Sequence, residues 1–152
     1  MSGFEWHPLV RMTPDNGAAE VFDLRTLLTD ASGPVRHTLR YKDEGSVKED
    51  VNLNLRKIDR GLRPEVTLRC DIATMADHAT LATITNRLIR SDWTVELSLD
   101  NGTTYREVQL LRVPSPRPFR GKTVAGATFD LSLRCVETID ELPAMTEGVT
   151  PW

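Results

Sequence analysis

From about residue 35 onward the chain alternates apolar and polar side chains in several separate runs. Val35, His37, Leu39 and Tyr41 share one face, and Arg36, Thr38 and Arg40 share the other. That period of two belongs to a strand with one buried side. Val51, Leu53 and Leu55 alternate with Asn52, Asn54 and Arg56. Val66, Leu68, Cys70 and Ile72 alternate with Glu65, Thr67, Arg69 and Asp71, and Gly61 and Pro64 punctuate the join between these two runs. Trp93, Val95, Leu97 and Leu99 form a further set, and a last strand over residues 124–136 points Ala127, Phe129, Leu131, Leu133 and Cys135 inward.

One segment has a different period. Leu81, Ile84 and Leu88 recur at helical spacing, Thr74 and Asp77 stand where a capping box would, and Arg87 and Arg90 sit where the dipole of a helix C-terminus favours cations. Asp100-Asn101-Gly102-Thr103 is the sharpest turn signal, because Asn-Gly accepts the positive φ angles of a two-residue hairpin. The return strand slips phase between Leu110 and Leu111, which predicts a bulge, and residues 114–122 read as a proline-rich loop. Residues 20–28 suit either a strand or a helical turn. Residues 1–20 show no period and predict an extended arm ending in a turn at Pro14-Asp15-Asn16-Gly17, and residues 137–152 read as an acidic tail. The pattern predicts one domain over residues 1–152. It is mainly β (α+β), an antiparallel β-sandwich or barrel with one flanking α-helix.

Between the first two runs lies KDEGSVKEDV, residues 42–51, with six charged residues and one glycine. A tight turn would join two strands more economically, so a charged loop of this length is the feature that asks for a function. Composition narrows the answer. A chain of 152 residues buries about two-thirds of its unfolded surface, enough for a real core. Hydrophobic residues at 39% and charged residues at 27% exclude the disordered class. A net charge of -3 gives no sign of the basic face that phosphate binding needs. The first residues lack a basic start and apolar run, so no secretory signal is expected, and no apolar stretch approaches the length of a membrane span.

Candidate chemistry is sparse. Cys70 and Cys135 sit inside apolar strand patterns and read as small core residues; with His7, His37 and His78 they form no metal-ligand spacing. No phosphate loop, HExxH or CxxC occurs. Among the aromatics, Trp93 reads as core, while Trp6 and Trp152 stand near the chain ends and need a surface to pack on. No catalytic, cofactor or metal residue is assigned.

The order of elements is a strand, a long charged loop, two strands, a helix, an Asn-Gly hairpin and a long final strand. It resembles the tail-tube fold of tailed bacteriophages, shared by tail tube proteins, distal tail proteins and the ring-forming parts of baseplate hubs. The segments carrying the resemblance are HTLRY, KDEGSVKEDV, LNLRKIDRGLRPEVTLRC, ATLATITNRLI, WTVELSLDNGTTYREVQLLRV and KTVAGATFDLSLRC, over roughly residues 34–136. It implies a structural, non-enzymatic subunit of a homohexameric ring in the virion tail, assembled in the host cytoplasm without cofactors. Its partners would be copies of itself and other tail proteins (tube, tape measure, baseplate hub). Genome DNA would pass through the lumen without sequence-specific binding, and no membrane is involved. In that family the loop after the early strand reaches a neighbouring subunit or ring. The implied interface is therefore Lys42, Asp43, Glu44, Ser46, Val47, Lys48, Glu49 and Asp50, with Trp6 and Trp152 as adhesive anchors. The alternative is a monomeric β-sandwich that binds carbohydrate or peptide in a groove lined by Trp93 or Tyr105. A hydrolase with dispersed carboxylates comes third.

Overall fold

The computed structural model describes residues 7–28, 37–72, 74–120, 125–143 and 152. Its backbone is organised by two eleven-residue strands, β6 (Leu62–Ile72) and β10 (Ala125–Cys135). They pair antiparallel from Ala127 opposite Ile72 to Arg134 opposite Glu65. Inward residues Val66, Leu68, Cys70, Leu131, Leu133 and Cys135 are buried, as the alternation predicts. The outward row is paired by charge and hydroxyl: Arg69 with Asp130 at 3.3 Å, and Thr128 with Asp71 at 2.9 Å.

The other strands extend this pair on both sides. β3 (His37–Asp43) adds to β6. β8 (Arg106–Leu110) adds to β10, followed by β7 (Trp93–Ser98), β1 (Leu9–Pro14) and β2 (Glu20–Asp23). The result is a seven-strand antiparallel path, β2-β1-β7-β8-β10-β6-β3. A short strand β9 (Arg117–Arg120), within the predicted proline-rich loop, pairs with the start of β10.

The sheet is folded over. α1 (Arg25–Leu28), a single turn directly after β2, packs against β6 from the far end of the path. Val10, Met12, Val95 and Leu97 share one core with Val66, Leu68, Leu131 and Leu133. The bend falls at β8, whose ladders to β7 and β10 are only two and three residue pairs long. Short ladders let the two halves of a twisted sheet swing together into a sandwich. Among the described residues β2 and β3 end the path as unclosed edges.

α2 (Met75–Ile89) matches the predicted helix. The Thr74 hydroxyl accepts the Asp77 N–H at 3.2 Å, and Leu81 and Ile84 are buried where the helix covers β7 and β8. The Asn101-Gly102 turn is also as predicted, with φ of 59° and 83°. The buried Ser98 hydroxyl accepts the Gly102 N–H at 2.9 Å and closes that turn from inside.

Three expectations need correction. Residues 9–14 lie in β1, a central strand with Val10 and Met12 fully buried, not in an extended arm. The segment lacked a long period because only two of its residues carry the inward pattern. Val51, Leu53 and Leu55 are not a core strand but stand exposed on a projecting hairpin. The C-terminal segment is not a free tail either, since Ile139 exchanges both backbone hydrogen bonds with Leu62, at 2.7 and 2.8 Å.

Trp152 is only 5% exposed within the core cluster, and its indole N–H donates to the Leu97 carbonyl at 3.2 Å. The guanidinium of Arg106 donates to the Trp152 main-chain oxygen at 3.1 Å and lies 5.6 Å from its ring. A buried tryptophan with its one donor satisfied contributes heavily to a core. Trp152→Ala is expected to lower unfolding stability by about 3–5 kcal/mol. Trp152→Phe, which removes chiefly the N–H partner of Leu97, should cost about 1–3 kcal/mol. Chemical denaturation of both variants checks the order.

Candidate functional site

The charged loop of the sequence is a structured β-ribbon. β4 (Ser46–Glu49) pairs with β5 (Leu55–Ile58), Ser46 opposite Ile58 through Glu49 opposite Leu55. With its connections the ribbon occupies residues 44–61, between the paired strands β3 and β6. It makes a two-stranded sheet of its own, separate from the main path.

Its root is built to redirect the chain. Asp43 pairs with Leu62 and Ser46 with Ile58, so two residues connect on the outgoing side and three on the return. The extra residue breaks the ladder, and the ribbon continues as a separate sheet. Gly61 absorbs the change at φ 84°, and a Cβ there would meet the Ile139 carbonyl oxygen at 2.9 Å. Arg63 locks the junction. Its guanidinium pairs with Glu44 at 3.0 Å and donates to the carbonyls of Cys135 and Val136 at 2.8 and 2.6 Å. Charge-assisted bonds of this kind fix direction as well as adding stability.

The apex is equally defined. The Asp50 carboxylate accepts the N–H groups of Asn52 and Asn54 at 2.9 and 3.0 Å, a local turn that short acidic and amide side chains favour. Leu53 is held at φ 62°. A leucine in the left-handed region costs about 1 kcal/mol, and glycine or asparagine would sit there with less strain. Despite this, Leu53 is 78% exposed, Val51 is 98%, Leu55 is 74% and Val47 is 62%. Four aliphatic side chains thus project from a pre-formed ribbon, left exposed among the described residues.

Of the predicted interface residues, Ser46, Val47, Lys48 and Glu49 form the exposed outgoing strand of the ribbon. Lys42 and Asp43 end β3, with Asp43 accepting the Gly45 N–H at 2.8 Å. Glu44 is held by Arg63 and Asp50 is occupied in the apex turn, so these two shape the ribbon rather than face outward. Trp152 is turned into the chain's own core and presents no surface to a neighbour. Trp6 lies outside the described residues. The sequence reading missed the aliphatic apex because period two describes a half-buried strand and a two-sided ribbon equally well. Asp50, Asn52 and Asn54 carried the signal that separates them, since three such residues in five mark a turn.

The groups that could do chemistry are held otherwise. Burial pushes the Cys70 thiol up to about 12 and Cys135 to about 11, which leaves both as poor nucleophiles at neutral pH. His7 faces Asp23 at 3.4 Å, and His78 lies edge-on to Phe129 with ring centroids 6.0 Å apart. The side chain of His37 lies outside the described ones. No cluster of His, Cys, Asp or Glu among the described residues could hold a metal ion. No helix among them is long and apolar enough to cross a membrane. The Trp93 ring is covered by Arg87 at 4.0 Å, and the Tyr105 ring by Arg11 at 4.0 Å. A cleft of about 520 Å³ on the outer face is polar, with Thr38, Thr67, Ser132 and Arg112 on its wall and no aromatic side chain among the described residues.

No family model matches the chain, and no curated protein matches it.

The exposed leucine tests whether the apex works as a contact. Leu53→Asn relieves the left-handed strain and removes an aliphatic side chain that stands largely in water. Its thermal midpoint should therefore equal or exceed the parent's, while self-association measured by sedimentation should fall.

Proposed function

We propose that this chain is a structural ring subunit of a phage or phage-like tail, of the tail tube or distal tail type. In this reading copies of the chain enclose the channel through which DNA passes, and the arm of residues 44–61 joins one copy to the next. The observation that carries the reading is that arm: rigid at its root, ordered at its apex and lined with aliphatic side chains left in water. Ordering a ribbon of this size costs backbone entropy, and burial within the chain returns little of it. Burial against a neighbour would. The element order, a long ribbon between two early strands followed by a helix and a hairpin, supports the family comparison drawn from the sequence.

The alternative of a monomeric carbohydrate- or peptide-binding module is less well supported. Stacking on a sugar needs an open aromatic face, and a guanidinium covers a face of both Trp93 and Tyr105. The third possibility, a hydrolase with dispersed carboxylates, is less well supported: Glu96 and Glu44 are held by arginines and Asp50 by the apex turn.

Negative-stain imaging of the purified chain over a range of concentrations tests the reading. Closed rings or stacked rings are expected. Replacing residues 46–58 by a two-residue turn should leave circular dichroism and the unfolding transition nearly unchanged, because the removed strands contribute nothing to the core, and should abolish the rings. Single particles at every concentration, or rings indifferent to the deletion, would refute it.

A further inference from the structure

The ribbon contains an electrostatic conflict. Lys48 lies directly opposite Arg56 across the two strands, and like charges in that relation destabilise a pair. Asp50 meets Arg56 at 3.5 Å, but its other oxygen is occupied by the apex turn. Lys48 and the adjacent Lys57 have no carboxylate partner among the described residues.

The main sheet holds the same conflict with the opposite sign. Glu96 of β7 stands directly opposite Glu107 of β8. Glu137 lines the same cleft, which encloses about 220 Å³. Arg106 lines this cleft and Arg11 pairs with its Glu96, and neither neutralises it fully. Arg11 is occupied by both oxygens of Glu96, at 3.0 and 3.1 Å. Arg106 is turned to the main-chain oxygen and ring of Trp152. Glu107 and Glu137 remain exposed and have no cation partner among the described residues. No ribbon cation comes within ion-pair distance of them inside one chain.

We propose that the ribbon of one copy lies across the Glu96–Glu107–Glu137 cleft of a second copy, with Lys48 and Arg56 facing Glu107 and Glu137. This rests on the ring-subunit reading and names the surface the arm meets. Each unfavourable pair is relieved by the other, and a single docking orientation satisfies both. The contact is heterologous: a copy gives its arm on one side and receives one on the other. Such contacts pass from copy to copy and close into a ring or continue as a filament. The charges set orientation and encounter rate, and the aliphatic apex supplies the apolar burial.

Sedimentation velocity on the full chain and two charge-reversed variants tests this. One variant carries Lys48→Glu and Arg56→Glu; the other carries Glu107→Lys and Glu137→Lys. All four positions are solvent-facing, and thermal unfolding checks that both variants fold. Each variant alone should associate more weakly than the parent by about two orders of magnitude or more, since like-charge contact costs several kcal/mol. Mixed together, they should assemble again in alternation, because the reversed arm then meets the reversed cleft. Parent assembly should also weaken as salt rises. Variants that assemble as the parent does would overturn the proposal and leave the ring reading standing, as would a mixture that stays dissociated. A parent that never assembles would remove both.

Discussion

The antiparallel pairing of β3 with β6 is the constraint from which the rest of the molecule follows. On its inner side this pair joins β10 and places Val66, Leu68, Cys70 and Ile72 in the buried core. At its far end it does not close in a turn. Both strands pass the edge of the core, and the chain needs a device to leave the sheet without losing direction. Gly61, the unequal connections and the three bonds from Arg63 are that device. Because the guanidinium ties Glu44 to the end of β10, the ribbon's direction is fixed by the same strands that form the core. A projecting element anchored in this way can meet a second body in one geometry, which a loosely tethered loop cannot.

The distribution of apolar side chains supports the same division of labour. Inside, the sheet folds over at β8, so two strand faces and α2 bury one continuous core, and the indole of Trp152 packs within it. Outside, cross-strand ion pairs and hydroxyl contacts neutralise most of the strand surface. Left over are the aliphatic side chains of the ribbon and three like-charge cross-strand pairs, Lys42 with Arg63, Lys48 with Arg56 and Glu96 with Glu107. Arg63 of the first pair is bound by Glu44, so the other two keep an unmatched charge. The ribbon stands out because its exposed aliphatic side chains and an unmatched charge pair occur on one element, which is what the proposed contact uses.

Much of the fold was legible because its strands bury one face. The runs at 66–72, 93–99 and 125–135, the helix and the Asn-Gly hairpin all stand where alternation, capping and turn chemistry put them. Alternation says that one face differs from the other, not that the differing face is covered. Val51, Leu53 and Leu55 satisfied the pattern and lie in water. β1 was hidden for the opposite reason, being six residues long with Val10 and Met12 as its only fully buried positions. The location of the candidate site was legible as an uneconomical connection between strands. Its composition was not. Local sequence marks Glu44 and Asp50 as charges, and only the fold shows that Arg63 and the apex amides hold them. Trp152 likewise gave no local sign of returning to the core, because its neighbours show no period.

The central claim is that the ribbon is exposed in the single chain and covered by another copy in the assembly. Hydrogen–deuterium exchange on dilute and assembled protein measures this directly. The account predicts that assembly slows exchange chiefly in peptides spanning residues 46–58 and those around Glu107 and Glu137, with the β6–β10 ladder slow in both states. Assembled particles whose ribbon exchanges as fast as in the free chain would contradict it.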